Sequence, residues 1–71
     1  MSTQLFQVSG MTCGHCVAAV TEEISALPGV SDVRVDLVPG EVSTVTVDAE
    51  AILDPASVRA AVDEAGYELV G

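Results

Sequence analysis

Read for hydrophobic period, the chain falls into six segments. Phe6 and Val8 lie two apart within residues 4–9, and turn-prone Ser9-Gly10 closes the run, which predicts a short strand. From about Gly14 to Leu27 the period lengthens: Val17, Val20, Ile24 and Leu27 fall at helical spacing, leaving Thr21, Glu22 and Ser25 for the wet face. Pro28-Gly29 stops that helix. Over residues 30–38, Val33, Val35 and Leu37 alternate with Arg34 and Asp36, the pattern of a strand with one solvated face. Pro39-Gly40-Glu41 supplies a turn, and residues 43–48 alternate again through Val45 and Val47. Val42 is out of phase with them, so a loop or bulge is expected around Val42-Ser43. Asp54-Pro55 signals a helix start, with Val58, Ala61, Val62 and Ala65 as the apolar face and Gly66 as the stop. Tyr67 to Val70 is read as a fourth strand.

The order strand, helix, strand, strand, helix, strand consists of two strand-helix-strand units. Joined, they give an α+β, ferredoxin-like βαββαβ arrangement: a four-stranded antiparallel sheet with two helices on one face. Gln7, Arg34, Asp36, Thr44 and Thr46 suit the open face of that sheet. With 71 residues and no internal linker or repeat, the expectation is a single domain over residues 1–71.

Charge narrows the partners. Eleven carboxylates face only Arg34 and Arg59, with no lysine, for a net charge of −9. Nucleic acid and anionic membranes need a basic patch and are disfavoured; the acidity serves solubility or steers the chain toward a basic docking surface. No apolar run approaches the roughly 20 residues that span a bilayer. The N-terminus lacks a basic region followed by a long apolar stretch, so a cytoplasmic setting is expected. There the two cysteines stay reduced, and a disulfide across so short a loop would constrain the unfolded chain little.

Both cysteines, the single histidine and one of two methionines lie within Gly10-Met11-Thr12-Cys13-Gly14-His15-Cys16-Val17. Cys13 and Cys16 straddle a loop-to-helix junction, a spacing that lets both sulfurs face one point, and the helix N-terminus favours the thiolate at Cys16. Gly14 is expected to let the backbone turn between them. Two soft thiolates with no further cysteine suit an ion content with low coordination, above all Cu(I). Zinc comes second, because a structural zinc site closes with four ligands and Cys13, Cys16 and His15 are three, so a carboxylate would have to be borrowed. Met11 reads as filler at the base of the loop. His15 reads as an exposed loop residue, as a donor that tunes the thiolates, or as an extra ligand when two proteins share copper. Asp54, Glu22, Glu23, Glu64 and Glu68 read as caps and solvated faces, with no paired acids or Ser-His-Asp set that would make an enzyme.

Gly-Met-Thr-Cys-Gly-His-Cys-Val resembles the metal-binding signature of the heavy-metal-associated domain, and the Gly-His between the cysteines is similar to bacterial copper chaperones of the CopZ type. Leu-Pro-Gly-Val at residues 27–30 and Ala65-Gly66-Tyr67 extend the likeness along the chain. The resemblance implies Cys13 and Cys16 as Cu(I) ligands, Met11 packed beneath the loop, and Tyr67 beside the site. It also implies a cytosolic carrier that hands Cu(I) by ligand exchange to a copper-transporting P-type ATPase, with a copper-sensing regulator as a second recipient. A monomer is expected without metal, and a copper-bridged dimer is the alternative loaded form. Eukaryotic relatives dock through lysines, which this chain lacks, so the acidic partner of such a pair must be this one. The alternatives are a Hg(II) or Zn(II) carrier, a domain of an ATPase, and a thioredoxin-like dithiol oxidoreductase. The start at Met1 is read as favouring a stand-alone protein. Against the oxidoreductase, Pro28, Pro39 and Pro55 all sit at turns or a helix start, so none opens a strand facing the cysteines.

Overall fold

The computed structural model describes residues 2–71. Its elements are β1 (Ser2–Ser9), α1 (Gly14–Ser25), β2 (Val30–Asp36), β3 (Ser43–Ala49), α2 (Pro55–Glu64) and β4 (Glu68–Leu69). The strands form one antiparallel sheet in the order β2-β3-β1-β4, with both helices on one face, as the element order predicts.

β1 and β3 make the centre, paired from Ser2 opposite Ala49 to Val8 opposite Ser43. Their alternation is strict. Phe6, Val8, Val45, Val47 and Ala49 point inward and are buried, while Gln7 is exposed and Thr44 and Thr46 are half-buried on the other face. β1 starts two residues ahead of the periodic signal because Ser2 and Thr3 complete the pairing with β3, and the Thr3 hydroxyl donates to Asp48 at 2.7 Å. On the open face Arg34 is held by Asp48 at 3.0 Å and Asp32 at 3.4 Å. Such exposed pairs add little stability. Leu5 breaks the polar pattern of that face at 66% exposure.

Of the loop or bulge expected around Val42-Ser43, the loop is present at Val42, and the bulge lies at the other end of the hairpin, between Val30 and Asp32. There the Ser31 hydroxyl donates to the Asp48 carbonyl at 3.0 Å. Val42 is out of phase because it belongs to the turn. Ser43 keeps its place opposite Val8, fully buried, and its hydroxyl accepts the Val38 amide at 2.9 Å. A buried hydroxyl with its partner in place carries no desolvation penalty.

α1 buries Cys16, Val20 and Ile24, a stripe at intervals of four residues. Val17, expected on that face, is half-buried at its margin. The helix ends at Ser25, with Ala26 and Leu27 closing its last turn onto the Glu22 and Ile24 carbonyls. α2 begins as its sequence predicts: the Asp54 carboxylate accepts the Ala56 amide at 3.0 Å and Pro55 takes the first turn. Val58, Ala61 and Val62 are buried, while Ala65 is half-buried past the end of the helix. Gly66, at φ +92°, turns the chain so that its amide reaches the Asp63 carbonyl and that of Tyr67 the Val62 carbonyl. β4 has only two residues, but the chain beyond it stays paired: the Val70 amide donates to the Gln7 carbonyl and the Gln7 amide to that of Gly71.

In so small a core each buried aliphatic matters. Ile24→Ala, at a fully buried position, is expected to cost about 2–5 kcal/mol in urea unfolding of the metal-free protein. Leu5→Ala on the open face should stay within about 0.5 kcal/mol.

Candidate metal centre

The chain leaves β1 at Gly10 with φ +94°, a backbone that side chains rarely adopt, and a Cβ there would meet the Tyr67 ring at 3.5 Å. Met11 then dips fully into the core, with no exposed surface. Thr12 and Cys13 return to the surface, and Cys13 caps α1 in an extended conformation, φ −155° and ψ 176°, with no side-chain capping bond. Its carbonyl accepts the amides of Cys16 at 3.1 Å and Val17 at 3.3 Å, so the backbone closes the first turn and leaves the thiol uncommitted.

The two sulfurs lie 3.6 Å apart, both as free thiols. They differ in setting, for Cys13 is exposed whereas Cys16 heads the buried stripe of α1. The Cys16 thiol is pulled from an ordinary 9.0 down to about 6. The backbone amide of Thr12 is the largest cause, followed by the Tyr67 hydroxyl and the Cys13 amide, and together they outweigh the opposing effect of burial. Tyr67 responds in the opposite sense. Its phenol is pushed above its usual value because it donates to Cys16, because burial disfavours the phenolate, and because a phenolate there would stand against the thiol pair. The Thr12 hydroxyl also faces the Cys16 sulfur, at 3.9 Å.

Of the residues singled out by sequence, Cys13, Cys16 and Tyr67 thus come together, with Met11 sealed underneath. His15 is exposed on the first turn of α1, and among the described residues no three His, Cys, Asp or Glu side chains gather at one point. Gly14 requires a correction. It begins α1, is not among the glycines with positive φ, and would meet nothing within 4 Å if given a Cβ. The strained turn is at Gly10, because the direction change comes where the strand ends, before the cysteines. Thr12 was missed. Its strongest contribution comes from its backbone amide, which leaves no trace in residue type; the signal that could have flagged it is its place one residue before the cap of a helix carrying an anion.

Residues 5–68 match the family of the heavy-metal-associated domain. The chain belongs to that family. It is 33% identical over 70 residues to the Copper chaperone CopZ of Staphylococcus aureus (strain MRSA252), covering 99% of this chain and 100% of the chaperone. It is 38% identical over 69 residues to the Copper-transporting ATPase 2 of Rhizobium meliloti (strain 1021), where the match takes in 97% of this chain but 8% of the ATPase. A solved CopZ metallochaperone superposes with a TM-score of 0.83 at 30% identity, over 97% of this chain and 100% of that one. This heavy-metal-associated domain therefore resembles both a protein of its own length and a small part of a much longer one. Among its described residues, no helix is long and apolar enough to cross a membrane.

A depressed thiol pKa fixes the sign of a pH effect. Its stabilisation of the fold is full above the unfolded value of 9.0 and is lost as pH falls through about 6. Ultraviolet thiolate absorbance of the reduced, metal-free protein should show one thiol titrating near pH 6. Cys16→Ser should abolish that step, and Tyr67→Phe should move it upward.

Proposed function

We propose that the chain is a single heavy-metal-associated domain over residues 1–71 that carries Cu(I) as cargo in the cytoplasm, held by Cys13 and Cys16, and that it is not an enzyme. The observation that carries this reading is a pair of free thiols 3.6 Å apart at the start of α1, one exposed and one buried. Two thiolates alone satisfy Cu(I), whereas a closed zinc site needs two further ligands. Met11 is wholly buried and His15 stands apart from the thiols, which supports leaving both off the ligand set.

The contrast between the two cysteines suits a carrier. Cys16, packed in the stripe of α1 and favoured as a thiolate near neutral pH, keeps the ion on the fold. Cys13 gives an incoming thiolate access to it. In ligand exchange each new sulfur–copper bond replaces an old one, with no change of oxidation state, and the thiolate released takes up a proton from water. The acceptor in this reading is a metal-binding domain of a copper-transporting P-type ATPase, with a copper-sensing regulator as a second recipient. Support comes from the 38% identity to a segment of the Rhizobium meliloti copper-transporting ATPase. Tyr67 tunes the thiolate without binding metal.

Competition against a Cu(I) chelator at about pH 7 should give one tightly held Cu(I) per chain. Cys13→Ser and Cys16→Ser should each weaken it by at least about a hundredfold, more than loss of a partner that only orients a ligand. His15→Gln should change it by less than about tenfold. Zinc affinity comparable to that for Cu(I) would overturn the reading.

A further inference from the structure

The loop that carries the cysteines has two roots, and one of them hangs on the shortest element of the fold. β1 pairs with β3 only as far as Val8 opposite Ser43; among the described residues its last member, Ser9, has Glu68 of β4 as its sole strand partner. Gly10 follows at once and makes the turn into the loop. β4 lies at the edge of the sheet, so nothing pairs with it from the far side. Beyond its two residues the Val70 amide donates to the Gln7 carbonyl at 2.8 Å, and the Gln7 amide donates to the Gly71 carbonyl at 2.7 Å. Leu69 packs against the core, whereas Val70 is 48% exposed. Just before the strand, Tyr67 packs against the same core in contact range of Gly10, where a Cβ would meet its ring at 3.5 Å.

So short an edge strand is a segment that opens locally while the core stays folded. Its opening frees Ser9 and Gly10 together and takes the Tyr67 ring away from the turn. The other root, α1, stays fixed through Val20 and Ile24. We infer that residues 67–71 are a clamp on the copper site: docked along β1 they hold the loop so that the Cys13 and Cys16 sulfurs converge, 3.6 Å apart, and their undocking is the step that lets the sulfurs part and the ion leave. Each sulfur–copper bond that breaks is replaced by one to the receiving ligand, with no change of oxidation state. Coupling between two sites is reciprocal, so bound copper holds the clamp shut in turn. This inference rests on the carrier reading above.

The test uses the full chain, with and without Cu(I), under reducing, oxygen-free conditions, with copper content measured in every sample. Hydrogen exchange of the Gln7 amide, which donates to Gly71, reads opening of the clamp. Transfer to a Cu(I) chelator, at concentrations where the rate no longer depends on the chelator, reads release. Val70→Pro removes the donor to the Gln7 carbonyl and no buried side chain. Leu69→Ala loosens the same segment should the proline variant not fold. Val70→Thr keeps the amide and serves as the conservative control. Ile24→Ala weakens the core at a distance from the clamp, and so separates the clamp from stability at large.

In wild type, copper is expected to slow exchange at Gln7 about tenfold or more. Val70→Pro should quicken both Gln7 exchange in the loaded chain and copper release by about fivefold, the factor that one backbone hydrogen bond of ordinary net strength supplies. Val70→Thr should leave both within about twofold. Ile24→Ala should leave release within about twofold, because bound copper keeps unfolding of the whole chain rare. Gln7 exchange that copper leaves unchanged overturns the clamp, as does exchange that neither Val70→Pro nor Leu69→Ala quickens. Release that stays constant while Gln7 exchange quickens overturns it too, and so does release that quickens as much in Ile24→Ala. Any of these in a chain that holds copper overturns the clamp alone. A chain that holds no copper overturns the carrier reading and the clamp with it.

Discussion

The Cys16 sulfur lies in the apolar stripe of α1 with Val20 and Ile24, and its thiol is nonetheless drawn down to about 6 by the amides of Thr12 and Cys13 and the hydroxyl of Tyr67. Burial alone would push it the other way. The donors can prevail only if the loop holds them in place, and that requirement explains the path of the chain. Gly10 must take a positive φ so that the strand can turn, a backbone that a residue with a side chain would hold only under strain. Met11 must be buried so that Thr12 comes up beside the sulfur. Gly66 must turn left-handed at the end of α2 so that Tyr67 is delivered to the same place from the far end of the chain.

The result is a site with one fixed side and one free side. Cys16 is anchored by packing and by hydrogen bonds, while Cys13 caps α1 through its backbone only and leaves its thiol in solvent. A closed four-ligand centre would hold its ion against exchange. In the carrier reading proposed here, a pair that is half exposed gives an attacking thiolate a way in, with retention supplied by the core and release by the loop.

Much of this was legible in the sequence wherever period and punctuation agreed. The alternation of β1 and β3, the Asp54-Pro55 start of α2 and the element order yielded the fold. Both cysteines announced themselves by spacing, and Tyr67 came through the family resemblance. The features that stayed hidden depend on backbone geometry. Ser31 bulges because its hydroxyl finds the Asp48 carbonyl, a pairing set by the strand register. Gly14 looked like the hinge because it sits between the cysteines, yet the turn falls at Gly10, where the strand ends. Thr12 acts chiefly through an amide that every non-proline residue carries. Val17 matched the helical period as well as Cys16 did, and only the docking of α1 on the sheet decided which of them headed the buried stripe.

Any account of what approaches the thiols has meaning only if the thiols hold the ion as proposed. The central claim is therefore one of coordination: Cys13 and Cys16 suffice. X-ray absorption at the copper edge of the loaded protein in dilute, reducing solution tests it most directly. Two sulfur scatterers and no nitrogen neighbour are expected, with the same spectrum for His15→Gln. A nitrogen or a third protein ligand in the copper shell would contradict the account.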